Sequence, residues 1–434
     1  MGKQAVRVNR RQFLKWAGIG VGATLAAPYT GIVKAAPHRV IVVGGGFAGA
    51  TAAKYLKLWG GGSVDVTLIE PRSSYHSPIL SNLVLNGNLQ PSQLEIPYSY
   101  LTSRYRVAHR KQAVTVIDGA GKTVELQDGT RLNYDRLIVA PGMSFKPLQD
   151  PNGNEIDPND QTSGILHAWK GGQQVNDLRA ALVGMRNGDT FVMTIPPSPY
   201  RCPPGPYERA CVVADWLRRN RPDSKVIVLD ANPDIVVEKD SFGARFSQYG
   251  VEYRANVRIR SVAPTAPGTG SVTVSIGGET QTFSADVLNV IPAQQAGAHG
   301  LLMSAGLLNG DWAPVDAKTF ESLQVTGIHV IGDSQGTSVP KAGHIANSEA
   351  KVCAEAVLNL LHNQPVYAAP KINSACYSPV SATEATWLTA GYAYDSAKNN
   401  WVKITTSAAS GPPTTKHYYE MFGWAKNLFS DSFA

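Results

Sequence analysis

The sequence predicts an α/β protein with two Rossmann-like domains and a smaller C-terminal α+β interface domain. Three observations predict it. Residues 39–49, RVIVVGGGFAG, run an apolar strand into glycines spaced G-x-G-x-x-G. Residues 190–195 and 225–229 are two further apolar, strand-like runs, separated by a helix-like stretch. From Tyr367 onward the composition shifts to Tyr, Trp, Ser, Thr and Ala, with alternating runs.

A chain of 434 residues suggests two or three domains, and 43% hydrophobic with 17% charged residues describes a protein able to bury a core. The net charge of +7 invites a nucleic-acid partner, but the N-terminus accounts for most of it. Residues 9–15, NRRQFLK, form a twin-arginine export motif. A Gly/Ala-rich run over residues 16–33 follows, and Val33-Lys34-Ala35 offers a small-residue cleavage site. An uncleaved anchor is the alternative, but the run is broken by Thr24, Pro28 and Thr30 and is poor in Leu and Ile. Residues 1–35 hold six basic and no acidic residues, so a chain without them carries about +1. The expectation is a cleaved signal peptide over 1–35, a periplasmic protein and no nucleic-acid partner. The twin-arginine route carries folded proteins, which suits one that acquires a cofactor before export. No later segment has eighteen uninterrupted apolar residues, so no stable membrane insertion is expected.

The first Rossmann-like unit begins at the glycine run. Gly44 makes the strand-to-helix turn, Gly46 lets the backbone approach a pyrophosphate, and Gly49 lets the helix pack on the strand. Phe47 and Ala48 open that helix, at whose N-terminus the phosphates sit. A second strand over residues 64–69 ends in Glu70, 21 residues past Gly49 and placed for ribose hydroxyls, with Pro71 and Arg72 beside it. Residues 114–117 and 123–126 alternate as a hairpin around Gln127-Asp128-Gly129-Thr130. Residues 134–142, YDRLIVAPG, form another apolar strand, ending in Ala140-Pro141-Gly142. Residues 326–333, TGIHVIGD, read as the last strand of this unit, closing on Gly332-Asp333, with a helix over 347–361 behind it. Residues 285–291 are expected to return the chain to this unit. The domains are expected at 36–155 with 296–366, at 156–295 and at 367–434.

The second unit has the Rossmann β–α–β shape, but its turn reads IPPSPYRCPPGPYE over 195–208. Proline lacks the N–H groups a phosphate uses and fixes φ. A Rossmann-like domain without a nicotinamide site is expected, and no use of NAD(P)H. Asp230, at the end of its second strand, reads as a solvated strand end.

The four cysteines are Cys202, Cys211, Cys353 and Cys376, with no C-x-x-C and no haem-attachment motif. Cys211 and Cys353 lie in helix-like apolar segments, where cysteine serves as a small hydrophobe. Cys202 lies in the proline-rich loop at the C-terminal end of a strand, and Cys376 in a turn-like NSACYS. Three pairings of four cysteines remain open. No histidine has metal-ligand spacing, and no metal is expected.

The run Arg201-Cys-Pro-Pro-Gly-Pro-Tyr-Glu-Arg209 resembles the signature of the flavoprotein subunit of flavocytochrome c sulfide dehydrogenase, in the pyridine nucleotide–disulfide oxidoreductase superfamily. So do His167-Ala-Trp-Lys170, Ile291-Pro292, Pro314-Val-Asp316, Thr319-Phe-Glu-Ser322, residues 327–333 and Ala375-Cys-Tyr-Ser378. These matches span essentially the whole chain after residue 35, in order. The resemblance implies a glutathione reductase-like fold that binds FAD through Gly44, Gly46, Phe47, Ala48, Gly49, Glu70, Pro71, Arg72, Ala140, Pro141, Gly142, Gly332, Asp333 and Lys341. It implies a redox-active Cys202–Cys376 disulfide, with Glu208 managing protons. The alternative for Glu208 is a salt-bridged carboxylate in Tyr-Glu-Arg.

The implied reaction oxidises hydrosulfide to zero-valent sulfur or polysulfide and passes electrons to a c-type cytochrome subunit. Cys202 is expected to accept sulfide and Cys376 to face the flavin. Some members of that family attach FAD through a cysteine whose place here is taken by Pro78. No thiol precedes Cys202, so noncovalent FAD is expected. The alternatives are a sulfide:quinone oxidoreductase and a non-catalytic flavin electron-transfer subunit of a sulfur-oxidising complex. A type II NADH dehydrogenase shares the architecture, but the proline-filled second turn argues against it.

Overall fold

Residues 40–43 are four consecutive β-branched side chains, and in the computed structural model all four are buried. A parallel strand covered on both faces reads as such an unbroken apolar run. The structure describes residues 36–404, 408–409 and 411–434. The twin-arginine motif and its cleavage site lie outside them.

In chain order the elements that frame the site are β1 (His38–Val43), α1 (Phe47–Gly60), β2 (Val64–Ile69), β3 (Arg136–Val139), β4 (Thr190–Ile195), α2 (Gly205–Asn220), β5 (Lys225–Asp230), β6 (Val287–Val290), β7 (Ile328–Val330), α3 (Gly343–Leu361), β8 (Lys371–Pro379), β9 (Ala385–Asp395) and α4 (Thr415–Phe433). The first sheet is wholly parallel, in the order β7, β3, β1, β2 and the short strand Ala108–Arg110. The second is also parallel, in the order Glu252–Arg254, β5, β4, β6. The fold is thus mixed α/β with two Rossmann-like sheets, and a C-terminal sheet of β8, β9 and Asn400–Lys403 follows them.

One expectation is corrected by the register. Residues 285–291 do not return to the first sheet: Val287–Val290 pairs with Phe191–Thr194 of β4 and completes the second. The return is made by Gln294–Ala296, which pairs antiparallel with Met143–Phe145. A four-residue apolar run fits either sheet, and only pairing decides between them.

Residues Pro37–Ala434 form one compact unit. α1 packs on α3, and Gly60 is needed there, since a Cβ would lie 2.8 Å from Leu358. α4 buries Leu428 and Phe433 in the first core, with Phe433 stacked on Tyr75 at 5.3 Å. Each large side chain buried in this way contributes about 1.5–3 kcal/mol. No helix among the described residues is long and apolar enough to cross a membrane.

Candidate active site

Parallel strands end at a common edge, and the segments following β1, β2, β3, β4 and β7 meet there around a cavity of about 450 Å³. At one end lies the glycine turn. Gly44 has φ +96°, and a Cβ on it would lie 2.4 Å from the Ala140 carbonyl oxygen. A Cβ on Gly49 would lie 1.9 Å from the Gly44 oxygen, so the third glycine serves helix packing and does not itself line the cavity. Gly46 caps α1 without a side-chain acceptor, leaving the first amides of the helix to whatever enters.

Glu70 closes β2. Its carboxylate accepts from the Gly45 amide at 3.0 Å and from Arg72 Nε at 2.8 Å. Burial would raise its pKa, but Arg72 and the amides outweigh burial and hold it below the usual range. Phe47, Ala48, Pro71, Arg72, Ala140, Pro141 and Gly142 line the same wall. So do Gly332 and Asp333, on the turn after β7. Gly332 (φ +70°) donates its amide to Glu349 at 2.8 Å, and burial raises the Asp333 carboxyl.

The cysteines stand at the other end. Cys202 has φ +59°; its amide donates to the Lys341 carbonyl at 2.7 Å and its carbonyl accepts from Gly205 at 2.9 Å. Pro204 and Pro206 sit where α2 starts, a place that does not need their missing N–H groups. Cys376 sits within β8, opposite Leu388. Both sulfurs belong to the cavity wall, although 174 residues separate them in the chain. The expected bridge between them is not formed here: all four cysteines are unbridged. Burial pushes both thiols up, Cys376 to about 12, and an ionised Cys376 would raise Cys202 further. Cys211 and Cys353 are fully buried in the cores.

Glu208, in the first turn of α2, lines the cavity, and burial pushes its carboxyl up to about 8. It does not pair with Arg209. Asn82 donates to Glu208 at 2.9 Å and accepts from Arg209 Nε at 2.9 Å, standing between the two. The rest of the Arg209 guanidinium is taken by the carbonyls of His167 and Ala168 and by Asn289.

Two expectations are corrected. Lys341 does not line the cavity. Its Nζ donates to the Gln335 carbonyl at 2.8 Å and lies 3.6 Å over the Trp312 ring, and burial pushes it down to about 8. Asp230 is not solvated but fully buried. It accepts from Tyr207 and Tyr253 hydroxyls at 2.7 and 2.8 Å and from the Asn232 amide and side chain. Those partners occupy both carboxylate oxygens.

Sequence reasoning missed several lining residues: Asn82, Trp169, Arg201, His344, Tyr377 and Trp424. The first five lie within or beside stretches already singled out. Trp424, on α4, lies outside them.

Comparison with known proteins agrees with this geometry. Residues 175–292 match the family model for the central part of the flavocytochrome c sulfide dehydrogenase flavoprotein chain, and residues 38–184 match the pyridine nucleotide-disulphide oxidoreductase model. The chain is 37% identical to a probable ferredoxin reductase of Castellaniella defragrans, over 27% of this chain and only 29% of that protein's length. It is 20% identical to a mitochondrial sulfide:quinone oxidoreductase of Dictyostelium discoideum, over 74% of this chain and 70% of that one. The solved sulfide:quinone oxidoreductase of Aquifex aeolicus shares the fold, with TM-score 0.73, 17% identity and coverage of 91% and 92% of the two chains. The first part of the chain is thus similar to the pyridine nucleotide-disulphide oxidoreductases, and its central region to the flavocytochrome c sulfide dehydrogenase flavoprotein chain.

Proposed function

We propose that this protein is an FAD-dependent sulfide dehydrogenase that oxidises hydrosulfide at a Cys202–Cys376 pair and passes the electrons to a c-type cytochrome in the periplasm. The observation that carries the reading is the meeting of Cys202, Cys376 and Glu208 in one cavity with the glycine turn and Glu70. The periplasmic site rests on the sequence motif of residues 9–15. The cytochrome partner rests on the family resemblance.

The residues present fit FAD. Gly44 and Gly46 leave backbone-only surface at an uncapped helix N-terminus for a pyrophosphate, and Glu70 is held ionised for ribose hydroxyls. The turn at Gly332-Asp333 and the wall at Ala140–Gly142 lead from there toward the cysteines. FAD, when bound, supplies an acceptor for an electron pair that can be released one electron at a time. Binding is proposed to be noncovalent: Pro78 lines the cavity, and among the described residues no thiol lines it other than those of Cys202 and Cys376. No NAD(P)H is proposed, since prolines fill the second turn and Asp230 is saturated.

The chain's own chemistry is thiol–disulfide exchange. Hydrosulfide attacks one sulfur of the oxidised pair, the S–S bond breaks, and the products are a cysteine persulfide and a cysteine thiolate. Glu208, in the cavity wall and titrating near neutrality, takes the proton that the persulfide loses.

The test is an anaerobic visible spectrum of the purified protein titrated with sulfide. Flavin bleaching that is lost in Cys202→Ser and in Cys376→Ser supports the reading. No bleaching with the cysteines bridged sinks it.

A sulfide:quinone oxidoreductase is the second reading. It is favoured by fold similarity over 91% of the chain. Comparing cytochrome c and a soluble quinone as oxidants of the sulfide-reduced protein separates the two.

A further inference from the structure

Glu238 precedes the helix Lys239–Tyr249 with a left-handed backbone, φ +50°. A non-glycine residue holds that conformation only where its surroundings demand it. Its carboxyl reaches the C-terminal sheet. The Ser378 hydroxyl of β8 donates to Oε2 at 3.3 Å, and the Thr386 hydroxyl of β9, in register with Ser378, donates to the Ser378 carbonyl at 3.5 Å. The other oxygen, Oε1, is buried and has no hydrogen-bond partner among the described residues. Buried carboxyl oxygens are ordinarily satisfied, so an orphan one asks for a reason.

Its neighbour supplies the reason. Ser378 lies two residues from Cys376 on one strand, so both side chains leave the same face of β8. The Glu238 charge is felt at Cys376 and at Glu208. From the other elements, Cys376 meets Glu208 of α2, Cys202 of the loop before it, and Tyr392 of β9. On its own strand Ser374 lies two residues away, on the same face. His344 at the start of α3 accepts from the neighbouring Ala375 amide at 3.0 Å. Glu238 itself faces Ser378, Thr386 and Glu208, while Lys239 beside it is exposed and paired with Asp234.

We propose that Glu238 is a positioning residue for Cys376, a buried carboxyl behind the strand that controls when this thiol ionises. Protonated, it leaves Cys376 free to form its thiolate; ionised, it holds Cys376 as the thiol. The inference rests on the reading of Cys376 as a working thiol given above.

The test labels the fully reduced protein with methyl methanethiosulfonate and follows Cys376 and Cys202 separately by peptide mass spectrometry. The rate ratio of Glu238→Gln to wild type at Cys376 is expected near one at low pH and to rise about tenfold with increasing pH, as the native carboxyl ionises. Cys202 should change by less, and Glu238→Asp should behave like wild type. Glu238→Met, which removes the charge without burying an amide, should give the same rise if the Gln variant does not fold. A ratio that stays constant with pH marks looser packing and overturns the inference, as does an equal rise at Cys202. A rising ratio in a protein that sulfide fails to reduce leaves this inference standing and sinks the sulfide reading. Sulfide reduction with a flat ratio does the reverse.

Discussion

A Cβ placed on Gly205 would lie 2.9 Å from the sulfur of Cys202 and 2.8 Å from the Trp169 ring. The first residue of α2 is therefore bare so that a thiol can rest on the helix N-terminus, where amide dipoles favour a developing negative charge.

Gly205→Ala is expected to cost about 1–3 kcal/mol through overpacking. It should also displace Cys202 and slow sulfide-dependent flavin reduction. A thermal melt and a stopped-flow trace at one sulfide concentration check both. An unchanged melt would show that the sulfur has room to move.

The Glu208 carboxyl is pushed up to about 8 by burial, well above its value in the unfolded chain. The folded state then binds a proton that the unfolded state releases, so this group's stabilising contribution is complete at low pH and is lost as pH rises toward 8. Glu208→Gln should therefore flatten the fall in stability between about pH 5 and pH 9, by an amount on the order of a few kcal/mol. Denaturant titrations of both proteins at the two pH values measure it.

Asp230 satisfies two tyrosine hydroxyls and Asn232 inside the second unit. Asp230→Ala strands those donors and should cost about 2–4 kcal/mol, read as a lower urea midpoint. Flavin content should be unaffected, because none of these residues lines the cavity.

Acid precipitation of the holoprotein should release all its flavin into the supernatant, since Pro78 offers no sulfur for a thioether. Flavin that stays with the precipitate would refute the noncovalent reading. Arg72→Ala should weaken retention, because Arg72 holds the Glu70 carboxylate in place.

Much of the fold was legible because local chemistry dictates it. Four β-branched residues in a row, a glycine triplet at fixed spacing and an acid at the end of the next strand report backbone needs that do not depend on distant residues. The strand over 190–195 was read to the residue. The helix behind the proline turn runs Gly205–Asn220 and starts among the prolines themselves, because proline is favoured at the first helical position. The role of residues 285–291 was misread because β6 is indistinguishable by composition from a strand of the other sheet.

The sequence by itself determined the glycine cradle, the acid that follows it, the absence of any thiol before Cys202 and the proline-filled second turn. These are properties of neighbours along the chain. Only the tertiary structure decided that Lys341 turns to Trp312 instead of the cavity, that Asp230 is locked by two tyrosines, and that Asn82 stands between Glu208 and Arg209. It alone put Glu238 against Ser378, two residues along the strand from Cys376. Each of these is a contact between residues far apart in sequence. Burial there sets the charge state, and which groups become buried together depends on how the sheets and the C-terminal segment pack.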